Sequence, residues 1–305
     1  MKKICVLLLT LILTIPLFIF NGCMRELGIT EKNIYIKNLS LTQTEDYDGD
    51  FTQFIANEKA CAVVSICSYF QYRNNKGSYS TDYQYNSGII LNNDGYILTT
   101  SRAVKSIASN QDESLSNITA NEFYVSLNSI LEVKDDYYLA KLVHCDENIG
   151  LAILKFVDNF YYYTDAQNTK SSKGFQVKAE FFNATATLEI GDDCAFAGNM
   201  LDEGVGITKG VISDNELTVL PGVSLNDKTY NYIQSSAALN EEMYGGALYD
   251  ENGYVIGIAL TKIISDTDYS VFNKISLALP SACIVEYIDA VSQEKQTVIE
   301  YTVVS

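Results

Sequence analysis

Any acid–base catalysis by imidazole in this 305-residue chain must run through His144, its single histidine. A serine or cysteine nucleophile needs a neighbouring base to take its proton, and a carboxylate to fix the tautomer of that base. His144 closes an apolar run six residues before Gly150, a place where a histidine usually serves packing. Ser235 and Ser236 are adjacent hydroxyls with no base near them in sequence. The seven cysteines form no CxxC pair, and with one histidine they make no zinc-type ligand set, so neither a metal nor another cofactor is expected. Cys61, Cys67, Cys145, Cys194 and Cys283 read as small apolar side chains. Cys61 and Cys67, six residues apart on one strand, would lie ~20 Å from each other, too far to bridge.

Three segments carry more information. The first is Tyr232-Ile233-Gln234-Ser235-Ser236-Ala237-Ala238-Leu239 followed by Asn240-Glu241-Glu242-Met243-Tyr244-Gly245-Gly246-Ala247-Leu248. The second runs from Ser87-Gly88 through Asn93-Asp94-Gly95-Tyr96 to Thr99-Thr100-Ser101-Arg102-Ala103-Val104. The third is Asp146-Glu147-Asn148-Ile149-Gly150-Leu151-Ala152-Ile153-Leu154-Lys155. In order and approximate spacing they resemble the nucleophile, histidine and aspartate blocks of HtrA/DegP-like, trypsin-like serine proteases. Ala60–Ile66 is similar to the first strand of that family and Ile275–Ser281 to the close of its second barrel, so the resemblance covers roughly residues 55–290.

The resemblance implies a protease fold without its catalyst. At the triad positions stand Arg102 for histidine, Gly150 for aspartate and Tyr244 for serine. Arg102 stays protonated near neutral pH and cannot act as a base. Gly150 has no side chain to orient one, and the phenol of Tyr244 has no base beside it in sequence. Glu242 replaces the glycine whose N–H the family uses in its oxyanion hole. A carboxylate ~5 Å from a forming oxyanion repels it by about 3 kcal/mol at an effective dielectric of about 20. Gly245, with Gly246, keeps the close backbone approach of the loop. An inactive homologue that binds an extended polypeptide or an envelope protein, or that serves as a scaffold, follows. The alternative is an active endopeptidase with a non-standard catalytic set. In the inactive case Tyr244 should plug the cleft, with Arg102 beside it and paired to Glu242.

The elements that must position these residues are strands. From Cys61 onward short runs rich in Val, Ile, Tyr and Phe alternate with turn residues, and Asn93-Asp94-Gly95 and Glu251-Asn252-Gly253 mark tight hairpins. Strands are expected near 61–69, 85–91, 96–100, 122–127, 137–144 and 151–157. A second set is expected near 178–187, 193–198, 206–212, 215–220, 229–235, 246–250, 254–261 and 275–279. A helical period over 282–291 follows Pro280. The fold class is therefore all-β: two six-stranded antiparallel barrels of trypsin-like type with a short C-terminal helix.

Lys2-Lys3, an apolar run from Ile4 to Phe20 and Asn21-Gly22-Cys23 read as a bacterial export signal ending in a lipoprotein cleavage site, with Cys23 lipidated. An uncleaved anchor is the alternative, since a span needs about 20 apolar residues. Either way the domain faces the extracytoplasmic side of the membrane. The expected organisation is 1–22 signal, 23–50 tether, 51–157 first barrel, 158–176 linker, 177–291 second barrel with helix, and 292–305 tail. That tail is too short for the PDZ domain usual in the family. Net charge is −17, with 38 acidic against 21 basic residues, and no basic cluster gathers the opposite sign, which excludes nucleic-acid binding.

Overall fold

Runs such as Ile89-Ile90, Ile97-Leu98 and Ile153-Leu154 are apolar at consecutive positions, which a strand accommodates only when both its faces are buried. The computed structural model of the chain describes residues 31–37, 50–73, 77–106, 118–128, 137–182, 187–201, 203–218, 220–260 and 276–304. In it the pleat sends Val64, Ile90, Ile97 and Leu154 into the interior of a first barrel, while Val63, Ile89, Leu98 and Ile153 face outward into a second apolar cluster. That outer cluster also contains Tyr249, Val255, Leu279, Ile284 and Tyr287 from the second half of the chain, so it joins the two halves. A third cluster, with Phe196, Ile212, Ile233, Leu248 and Ile256, fills the second barrel.

The chain enters through β1 (Asn33–Ile36) and then builds the first barrel from β2 (Val63–Arg73), β3 (Tyr79–Ile90), β4 (Tyr96–Thr100), β5 (Glu122–Ser126), β6 (Tyr138–Asp146) and β7 (Leu151–Phe156). These close in the order β2-β3-β4-β7-β6-β5, all neighbours antiparallel. β8 (Asn159–Tyr163) and β9 (Ser171–Lys173) follow, then β10 (Glu180–Phe182), β11 (Asp193–Asn199) and β12 (Val205–Leu217). The small hairpin of β13 (Val223–Leu225) and β14 (Lys228–Tyr230) precedes β15 (Tyr232–Ser235), β16 (Ala247–Asp250), β17 (Val255–Ala259) and β18 (Ser276–Pro280). β11, β12, β15, β18, β17 and β16 form the second closed ring. A helix over Ser281–Lys295 and β19 (Thr302–Val304) end the fold, β19 lying parallel to β10. The fold is the expected pair of six-stranded antiparallel barrels with one C-terminal helix.

Both hairpins announced by Asn-Asp-Gly and Glu-Asn-Gly use one device. Asn92 Oδ1 accepts from Asp94 N–H (3.0 Å) and Tyr96 N–H (3.3 Å), and Asp250 Oδ1 accepts from Asn252 N–H (3.0 Å) and Tyr254 N–H (2.9 Å). Gly95 and Gly253 supply the positive φ, +76° and +79°.

Several expected boundaries change. Within the 23–50 tether, Asn33–Ile36 is a strand, because a parallel partner, β8, waits in the segment expected to be the 158–176 linker. That segment is itself a hairpin of β8 and β9, with Tyr35 stacked on Tyr161 at 5.2 Å between ring centroids. The strands expected at 206–212 and 215–220 are one, β12. Register shifts after Ile212 and Asp214 let it leave β11 and pair with β15. The helix runs to Lys295, four residues beyond 291, where Gln296 takes a left-handed conformation (φ +52°) and donates to the carbonyls of Ser292 and Gln293. The 292–305 tail therefore holds the last helical turn and β19. The export signal and Cys23 lie outside the described residues. Among those described, no helix is long and apolar enough to cross a membrane.

Candidate functional site

Arg102 sits on a single helical turn, Ser101–Val104, that leaves β4. The start of the turn is fixed by Ser101 N–H donating to the carbonyl of Gly150 at 2.8 Å, so the backbone alone brings positions 102 and 150 together. Gly150 ends the turn between β6 and β7 with φ +84° and donates to the Asp146 carbonyl (2.9 Å). Asp146 Oδ1 caps this turn, accepting from Asn148 and Ile149 N–H at 2.8 and 3.2 Å.

Tyr244 follows a turn of 3-10 helix, Glu241–Met243, capped by Asn240, whose Oδ1 accepts from Met243 N–H at 2.9 Å. Ser87 of β3 anchors the loop across the two barrels. Its N–H donates to the Tyr244 carbonyl (2.9 Å), its Oγ donates to the Glu242 carbonyl (2.7 Å), and the same Oγ accepts from Asn199 N–H (2.7 Å). Gly245, at φ +93°, donates to the Ala259 carbonyl at 2.8 Å. A Cβ there would stand 2.1 Å from the Ser87 carbonyl oxygen, so no other residue fits without moving backbone.

The Arg102 guanidinium carbon lies 5.2 Å from the Tyr244 ring centroid, a cation–π contact. Its Nη2 is 2.5 Å from Glu241 Oε2. The ion pair thus forms with Glu241, not with Glu242 as expected. In a 3-10 turn residues i and i+3 eclipse, so Glu241 and Tyr244 share one face. The pair is asymmetric: the Arg102 side chain is 22% exposed and that of Glu241 76%. Arg102 Nε is buried with no hydrogen-bond partner among the described residues. The N–H of Tyr244, at the position whose N–H lines an oxyanion hole in trypsin-like enzymes, points at the Glu241 carbonyl (3.4 Å) within the turn.

Over Gly150 stands Leu260. A Cβ added at 150 would meet Leu260 Cδ1 at 3.3 Å, and Leu260 is itself buried. The sequence holds no local signal for this contact, because it joins the turn between β6 and β7 to the residue after β17. Glu241 was within reach of sequence reasoning through its three-residue spacing from Tyr244.

His144, Ser235 and Ser236 bond to groups other than Arg102. His144 Nδ1 is 3.0 Å from the Tyr287 hydroxyl and its Nε2 is 3.1 Å from Glu294 Oε2, which ties it to the terminal helix. Ser235 Oγ is buried in the second barrel, 3.1 Å from Cys194 Sγ, and accepts from Ala237 N–H at 3.0 Å. Ser236 Oγ accepts from Val211 N–H (2.9 Å). Burial pushes the thiols of Cys61 and Cys145 up to about 11 and that of Cys283 to about 12, which removes them as nucleophiles near neutral pH. No group of three metal-ligating side chains occurs among the described residues.

Residues 86–258, more than half of the chain, match the model of the trypsin-like peptidase domain. The chain is 28% identical to the magnetosome formation protease MamE of Magnetospirillum gryphiswaldense over 200 residues, 64% of this chain and 21% of that protein. It is 26% identical to the serine protease Do-like HtrA of Bacillus subtilis over 250 residues, 80% of this chain and 47% of the relative. A probable periplasmic serine protease do/HhoA-like of Haemophilus influenzae is 30% identical over 197 residues, covering 64% of this chain and 34% of its own length. The chain thus spans about a fifth to a half of the length of these curated relatives. An HtrA-type protease, an AlgW variant solved with a decapeptide, superposes with a TM-score of 0.57 at 22% identity, over 82% of this chain and 68% of the other. With both closed barrels and a matched domain over most of its folded length, this chain belongs to the trypsin-like peptidase family, as an HtrA-like member.

Proposed function

We propose that the chain is a catalytically inactive HtrA-like protein, tethered to the extracytoplasmic face of a bacterial membrane, that binds extended polypeptide in the cleft between its barrels. The observation that carries this reading is the Arg102–Tyr244 contact, 5.2 Å from guanidinium carbon to ring centroid. Where a base and a nucleophile would have to exchange a proton, a permanently charged cation rests on a phenol ring. Loss of a catalytic serine alone typically lowers turnover by about 10⁶. The groove can host a strand without the triad, since main-chain pairing needs no catalyst. A decapeptide accompanies the similar AlgW structure, and the relatives named as serine proteases act on polypeptide. Names of relatives as periplasmic support the extracytoplasmic side, and Gly22-Cys23 after an apolar run supports lipidation as the tether.

The full-length chain, purified from membranes in detergent, should leave denatured casein intact and resist fluorophosphonate probes. Reproducible cleavage with label on a single serine would restore the endopeptidase reading. For the tether, Cys23→Ala should abolish incorporation of labelled fatty acid; label persisting in that variant would leave a plain anchor instead.

A further inference from the structure

We infer that the Arg102 guanidinium is a carboxylate-recognition site for an extended polypeptide, occupied in the free protein by Glu241. The inference rests on the polypeptide-binding reading above and specifies what that polypeptide must carry. Arg102 offers a planar fork of donors suited to bidentate carboxylate binding. The bond recorded to Glu241 joins Nη2 to Oε2, while Nε remains buried without a partner among the described residues. A guanidinium held that way has unused capacity, and a buried donor with no partner is costly to leave unmet. Glu241 is well suited to being displaced. Its side chain is 76% exposed, so it can swing into water, and an exposed ion pair contributes little to holding the fold. The Tyr244 ring stays behind as a wall against which the fork is oriented.

The charge of the whole molecule narrows the ligand. At a net −17 the protein repels polyanions, so the fitting partner is an uncharged or basic segment bearing one carboxylate. That group is either a chain terminus or a single acidic side chain.

Calorimetry on the full-length chain in 0.15 M salt, where the screening length is about 8 Å, tests this with three forms of one uncharged ten-residue Thr/Val/Ser/Gln peptide. One form ends in an amide, one in a free carboxylate, and one is amidated with a single internal aspartate. Whichever carboxylate-bearing form binds wild type more tightly than the amide identifies the source. Glu241→Gln should tighten that form by about twofold to fivefold, the weight of an exposed pair, and leave the amide unchanged. Arg102→Gln should erase the advantage of the carboxylate, and Arg102→Lys, which keeps the charge but loses the fork, should retain part of it. Equal binding of all three peptides to wild type and variants would overturn the carboxylate site while leaving polypeptide binding in place. If none of the three binds, both readings fall.

Discussion

Leu260 occupies the space above Gly150: a methyl group at position 150 would stand 3.3 Å from Leu260 Cδ1 and 3.5 Å from Cδ2, on a backbone with φ +84°. Putting a carboxylate back there therefore meets two obstacles. An L-residue in the left-handed region costs about 1–2 kcal/mol, and a side chain longer than a methyl presses further on the buried Leu260. Gly150→Asp should lower the thermal midpoint, and more than Gly150→Ala does. The triple variant Arg102→His, Gly150→Asp, Tyr244→Ser should still fail to cleave casein. A Gly150→Asp protein that melts at or above the wild-type midpoint would contradict this account of the site.

Gly245 and Gly204 separate backbone strain from steric conflict. Both have positive φ, +93° and +110°. A Cβ at Gly204 meets nothing within 4 Å, whereas one at Gly245 falls 2.1 Å from the Ser87 carbonyl oxygen and 2.8 Å from Thr99 Oγ1. Gly204→Ala should therefore cost only the conformational term, about 1–2 kcal/mol. Gly245→Ala should exceed about 4 kcal/mol or abolish folding, because the obstacle is backbone of the other barrel. Denaturant unfolding of the two variants, compared with each other, checks the difference; comparable losses would show that the loop can move away from Ser87.

What could be read from the residues follows the range of the interactions involved. β4 falls at Tyr96–Thr100, where it was expected, because the Asn-Asp-Gly turn and the apolar run that define it are contiguous. β1 is four residues whose partner, β8, begins at Asn159, so nothing local in Asn33–Ile36 distinguishes it from a tether. β12 reads as two strands because Ser213 and Asp214 look like a break. The structure instead absorbs them in a register shift as the strand changes neighbours. At the site, the loop motifs carried Arg102 and Tyr244, which the structure places in contact. The identity of the acidic partner depended on whether residues 241–243 are extended or wound into a 3-10 turn, and a change of winding alone exchanges Glu242 for Glu241.

His144 bridges the first barrel to the terminal helix, through Tyr287 at 3.0 Å and Glu294 at 3.1 Å. Tyr287 also donates to the Leu151 carbonyl at 3.2 Å, so its hydroxyl keeps a partner when the imidazole is removed. His144→Ala should accordingly cost about 1–2 kcal/mol and leave the peptide-binding measurements unchanged. An effect on peptide affinity with no loss of stability would place His144 in the cleft's function rather than in the packing of the helix.

Glu286, on the terminal helix, provides a pH-dependent link to the β13–β14 hairpin. Hydrogen bonds from the Tyr230 hydroxyl and then Lys228 hold its carboxyl down at about 2, against an ordinary value of 4.5. Lys228 Nζ stands 3.0 Å from Oε2. A carboxyl whose pKa is depressed in the folded state binds protons more readily when unfolded. Its contribution is complete above about pH 4.5 and disappears as pH falls through about 2. The Lys228 side chain is open to solvent, which screens the charge pair, so most of the effect belongs to the Tyr230 bond. In Glu286→Gln the amide oxygen still accepts from Tyr230 but no longer titrates. The drop in unfolding free energy between pH 6 and pH 2.5, measured by urea denaturation, should be smaller in Glu286→Gln than in wild type. Salt should narrow the difference only slightly. Equal drops in the two proteins would mean that Glu286 is protonated or free in the fold, and that the hairpin is held by Val223 and its apolar neighbours alone.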